Sequence, residues 1–202
     1  AIRTLWDGGS DPVARYSRQV LTAYAAARMP VAPDFADDAP DLIASMLAAG
    51  LDQNALRWAA QAESGSLAWG ILAVAAPTRA SPVDSAALSS FKSGDDSDAA
   101  RKSQFLLAGL MGLRRVDDAA ARDFAADLGL DLTRQTRWTR LIEQAADTNN
   151  RALVALLAGV GMQGDGWNRM TGLHLYHIVA ALNRVGLGAE ARMIAAEAVA
   201  RG

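Results

Sequence analysis

Cysteine is absent from the 202 residues, which excludes disulfides, thiolate metal centres and cysteine nucleophiles. Lysine is nearly absent too: Lys92 and Lys102 are the only two among 20 basic residues. With abundant alanine, glycine and aspartate, this is the mark of GC-rich bacterial coding. The expected compartment is the bacterial cytoplasm or periplasm. Neither sign of charge dominates. Against the 20 basic residues stand 22 acidic ones, a formal net charge of −2, so no overall field draws the chain to nucleic acid or to an anionic membrane.

Long hydrophobic runs are missing as well. The longest uncharged apolar stretches are "LAWGILAVAA" (67–76) and "ALVALLAGVGM" (152–162). Each is about half of the roughly 20 residues a membrane-crossing helix needs, so no membrane span is expected. Nothing resembles a signal peptide, but the chain begins Ala1-Ile2-Arg3 and not with Met. A processed protein and a fragment of a longer one are both open readings. Period-two runs rich in Val, Ile, Thr and Tyr do not occur, which removes the strand signal.

Helix punctuation fills the chain instead. Asp11-Pro12 supplies an N-cap with proline at the first helical position, and Met29-Pro30 closes that segment. Pro40 opens a second helix that stops at Gly50. Asp52 caps a third, in which Leu51 and Leu56 have the spacing of a hydrophobic staple, and Ser64-Gly65 ends it. Ser66 starts a helix stopped by Pro77, and Ser81-Pro82 starts another that stops near Gly94. Further helices are predicted at about 97–111, 117–128, 133–147, 149–160, 168–185 and 188–201. The expectation is an all-α chain of about eleven short helices joined by short loops, forming a single domain over 1–202 with residues 1–11 as an N-terminal arm.

One pattern recurs. "GLDQNALRWAAQA" from Gly50 and "GLGAEARMIAAEA" from Gly186 share Gly-Leu, a short gap, then Ala-x-x-bulky-Ala. The matched residues are Ala55, Trp58, Ala59 and Ala191, Ile194, Ala195, and a looser copy after Gly112 brings Ala121, Phe124 and Ala125. Glycine supplies the left-handed helix end, the alanines allow close helix approach, and the bulky residue fills the groove beside them. The pattern resembles the hairpins of tetratricopeptide-like and Sel1-like solenoids. That resemblance implies stacked helical hairpins, an irregular α-solenoid, and an unknown protein or peptide partner. The copies are irregularly spaced, and an orthogonal helical bundle explains the alanines equally.

Candidate chemistry is sparse. The only two histidines, His174 and His177, lie three apart in "GLHLYHIVAALNRVG". One helical turn brings them together, but a metal site needs three or four converging ligands, and this helix holds no Asp or Glu. They read as a boundary and surface pair near Arg184. Glu63 in "AESGS" resembles the catalytic Glu-Ser segment of lytic transglycosylases. The Gly-Leu-Met-Gln turn that should follow is absent, so Glu63 reads as a helix end. Arg134, Arg137 and Arg140 around Trp138 form a ridge of the kind that holds phosphate, yet the net acidity favours a solvated face, with Glu143 paired to Arg140. In "GMQGDGWNRMTG" (161–172), glycines flank Asp165 and Trp167, and an exposed tryptophan there would be a binding anchor.

Two functions follow. The first is a non-enzymatic binding or scaffold domain for a protein or peptide, without cofactor, metal, nucleic acid or catalytic residues. Its candidate binding surface is Trp167, Asp165, Arg169, His174 and His177. The second is a small-ligand-binding or enzymatic domain, which requires His174, His177, Asp165 and Trp167 to converge on one pocket.

Overall fold

The computed structural model describes residues 2–7, 11–78, 81–164 and 166–202. Twelve α-helices are present among them: α1 Ile2–Trp6, α2 Pro12–Ala26, α3 Ala39–Ala48, α4 Asp52–Leu56, α5 Leu67–Ala75, α6 Ser85–Ser93, α7 Arg101–Gly112, α8 Asp118–Asp127, α9 Arg137–Asp147, α10 Arg151–Gly161, α11 Gly172–Arg184 and α12 Gly188–Arg201. Among the described residues the one β contact is an isolated bridge between Val83 and Val116. The chain is therefore all-α. No described helix is long and apolar enough to cross a membrane.

Side-chain caps set most of the starts. Asp11, Ser66, Asp84, Thr136, Asn150 and Thr171 each accept a hydrogen bond from a backbone N–H of the first turn. Three of these caps correct the expected boundaries. The helix expected from Ser81 begins at Ser85, because Asp84 caps it and Val83 N–H is held by the Arg115 carbonyl at 2.7 Å. The helix expected from residue 133 begins at Arg137. Asp131 takes both the N–H and the hydroxyl of Thr133 in a local turn, and Thr136 with Thr139 forms a capping box. The helix expected from residue 168 begins at Gly172 behind Thr171. The arm at 1–11 is not loose where it is described: α1 buries Trp6, whose indole donates to the Thr22 hydroxyl at 2.8 Å.

Five helix ends share one device. The residue after the end is left-handed at Gly50, Arg114, Gly129, Asn149 and Gly186, and paired backbone bonds close a Schellman turn at each. The Gly-Leu turns read from the sequence are two of these. The looser copy is different: the left-handed residue is Arg114 at φ 58°, while Gly112 serves packing. The copies also diverge in burial. Trp58 is buried, Ile194 is half-buried, Ala195 is buried and Ala59 is exposed.

Packing does not follow sequence order. The broadest contact joins α11 to α7, and the C-terminal α12 packs against α3, α5, α7 and α11. Serially stacked hairpins are thus corrected to a bundle around α7, α11 and α12. The reason lies in α7. Its Phe105, Leu106, Leu107 and Leu110 are fully buried, while Gly109 and Gly112 let neighbours approach closely. A Cβ on Gly112 would lie 2.8 Å from Val179 and 2.9 Å from the Ala180 nitrogen. Arg115, in the turn after α7, donates to the carbonyls of Ala73, Val74 and Ala76, closing the C-terminal end of α5.

Candidate functional site

The structure divides the residues singled out in the sequence. His177 is buried, with 4% exposure, in the wall of a cleft of about 570 Å³ between α7, α9 and α11. Its Nδ1 lies 3.0 Å from Glu143 Oε1 on α9. This corrects two expectations: His177 is not a surface residue, and Glu143 pairs with it and not with Arg140. Arg184 is likewise taken up elsewhere, by Asp147 at 2.5 Å.

Burial lowers the His177 pKa below its ordinary value, with the nearby His174 adding to that direction and Glu143 opposing both. The ring is neutral near pH 7. Glu143 accepts a hydrogen bond from Nδ1–H, which fixes the tautomer and leaves Nε2 as a buried acceptor without a partner among the described residues. The cleft is charge-balanced, Arg114 and Arg184 against Glu143 and Asp147. No Ser or Thr lines it among the described residues, whereas Tyr176 does, its ring 5.1 Å from that of His177. Among the same residues no group of three or more His, Asp or Glu is placed to hold a metal.

His174 leaves this pair. Its Nδ1 meets the Thr171 hydroxyl at 2.7 Å, and its ring packs on Trp138 with centroids 5.1 Å apart. Trp138 is half-buried and donates to the Leu157 carbonyl at 3.1 Å, tying α9 to α10. Trp167 packs near the N-terminal end of α7, edge-on to Phe105 at 6.1 Å, and lines a different cleft. Arg169 is exposed, and Asp165 lies outside the described residues. Among the described residues His177 and Trp167 thus line two separate clefts, and His174 lines neither of them.

Sequence reasoning missed a surface. α10 was noted only as an apolar run, yet its two sides have different fates. Val154 and Ala158 face the core, while Ala152, Leu153, Ala155, Leu156, Gly159 and Val160 are exposed. Leu156 is 64% exposed. Apart from Arg151 in the first turn, whose guanidinium donates to the Gly186 carbonyl, the exposed residues of α10 carry no polar side chain. On α2, Val13, Tyr16, Leu21 and Tyr24 are exposed as well, with the polar Ser17 exposed among them. The signal for the α10 surface was available: a helix apolar all round must be covered on every side, and among the described residues α10 packs chiefly against α9 and α11. Glu143 carried no comparable signal, because its partner lies on another helix. Comparison with known protein families, curated proteins and solved structures finds no match for this chain.

Proposed function

We propose that this chain is a non-enzymatic binding domain that docks an apolar helical segment of a partner protein on the outer face of α10. The observation that carries the reading is that face itself. Leu153, Leu156 and Val160 project from it over a background of Ala152, Ala155 and Gly159, with Arg151 the one exposed polar residue of the helix, drawn to the Gly186 carbonyl. Large and small residues alternating on an exposed helix form the ridges and grooves into which a second helix packs. An apolar surface of this kind on a folded domain marks an interaction site.

Size argues for a segment over a broad interface. α10 has 11 residues, about 16 Å of helix. A face one short helix long suits a single docked segment better than the broad interfaces of roughly 800 Å² per partner found in stable complexes of folded proteins. The domain is proposed to work in the bacterial cytoplasm or periplasm, a reading supported by composition alone.

The test is site-specific photocrosslinking in the source organism, with a photoreactive side chain at Leu156 and a control at the exposed Asp123. The expected result is a covalent adduct to one other protein from position 156 only, abolished by Val160→Asp in a chain of unchanged helicity. An adduct solely to a second copy of this chain, or equal labelling from both positions, would overturn the proposal.

A further inference from the structure

The cleft that Trp167 enters has a volume of about 650 Å³ and lies between α2, α3, α5, the start of α7 and the end of α12. Leu67, Ile71 and the indole give it an apolar lining, and Arg15, Arg101, Lys102 and Arg201 give it a basic rim. Asp11 and Asp41 line it too, so the four basic residues outnumber two carboxylates in a chain of net charge −2.

Arg201 is held from three directions. Its Nε donates to Glu197 at 2.5 Å, its Nη1 donates to Gln19 Oε1 at 2.6 Å, and its guanidinium lies 4.6 Å over the Tyr16 ring. Gln19 is itself fully packed, at 2% exposure, and donates to Asp41 at 3.0 Å. Asp41 is further satisfied by Arg15 at 3.0 Å. The guanidinium is thus fixed in place beside the cleft, with its Nη2 buried and without a hydrogen-bond partner among the described residues.

The opposite wall is equally prepared. Ala99 and Ala100 are both left-handed, at φ 55° and 52°, a conformation disfavoured for alanine. Asp95 holds that turn by accepting from the N–H and the hydroxyl of Ser103, at 2.8 and 2.6 Å. The turn delivers Arg101 and Lys102 to the cleft. Lys102 is 3.6 Å from Asp96, while Arg101 has no ionic partner among the described residues.

We propose that this cleft binds a small organic anion, with a carboxylate or phosphate head group against Arg101 and Arg201 and an apolar body against Trp167, Leu67 and Ile71. The volume suits a small-molecule site, and few polar groups set against an apolar lining is the usual construction of one.

Isothermal titration of the chain with octanoate, phenyl phosphate, inorganic phosphate and neutral octanol tests this. Octanoate or phenyl phosphate should bind saturably at one per chain, and the stronger of the two identifies the head group. Inorganic phosphate and octanol should each bind at least about tenfold more weakly. Arg101→Gln, at an unpaired position, should weaken the anion about fivefold or more without changing the melting temperature. Arg201→Lys should weaken it further, and Arg169→Gln, outside the cleft, should leave it unchanged. Octanol binding as tightly as octanoate, inorganic phosphate as tightly as phenyl phosphate, saturation by none of the four, or wild-type affinity in Arg101→Gln would each overturn the proposal.

Discussion

α7 from Phe105 onward and α10 are both short apolar helical stretches rich in leucine and glycine, and they meet opposite fates. In α7 the glycines are crowded: a Cβ on Gly109 would lie 3.1 Å from Ala195 and from Val74, and one on Gly112 closer still to Val179. In α10 a Cβ on Gly159 would meet nothing within 4 Å. α7 is buried along its length by α11 and α12, whereas half of α10 faces outward. Composition alone tells how apolar a helix is. Neighbours decide whether its glycines serve close packing or an open surface.

That contrast can be broken by substitution, beginning where the effect is largest. Trp58→Ala should cost about 3–5 kcal/mol, and Leu106→Ala or Leu175→Ala about 2–5 kcal/mol, measured by urea unfolding. Ile194→Ala, at the half-buried position that the repeat pattern equates with Trp58, should cost distinctly less. Equal losses at Trp58 and Ile194 would restore the equivalence that their burial denies. Glycine sharpens the comparison further. Gly112→Ala should cost about 1–3 kcal/mol, because its Cβ meets the backbone of α11. Gly159→Ala should instead raise stability by about 0.5–1 kcal/mol, as alanine does in an exposed helix interior. Matching signs for the two glycines would contradict the contrast.

A smaller effect belongs to pH. Burial holds the folded His177 pKa below its ordinary 6.5, so on acidification the unfolded chain takes up that proton before the folded one does. The contribution of His177 is therefore complete above pH 6.5 and is lost as pH falls below it. Unfolding midpoints at pH 7.5 and 5.5 should differ less in His177→Asn than in the wild type. An identical difference in both would remove His177 as the cause.

Much of the fold was legible because its signals are local. Asp11-Pro12, Ser66 and the Gly-Leu turns at Gly50 and Gly186 act on their own neighbours, and they are where the sequence places them. Boundaries moved where two local devices competed, as at Asp131 and Thr136. Packing order was not legible. The union of α7 with α11 depends on the space beside Gly112, and no short-range pattern reports what fills that space. The site shows the same limit. His174 and His177 were visible as a pair one turn apart, but Glu143, which parts them chemically, comes from α9. Trp167 was visible as an anchor. Its companions Arg201 and Arg101 come from the last turn of α12 and from the middle of the chain and carried no shared motif.

The central claim is that the outer face of α10 exists for a partner and not for the fold. The most direct measurement uses the double variant Leu153→Asp/Leu156→Asp, with urea unfolding and photocrosslinking from position 160 performed on the same chain. Both leucines stand exposed, so the predicted change in unfolding free energy is within about 0.5 kcal/mol per substitution, as for other surface changes, together with loss of the adduct. A destabilisation above about 2 kcal/mol per substitution, or an adduct that survives, would contradict it.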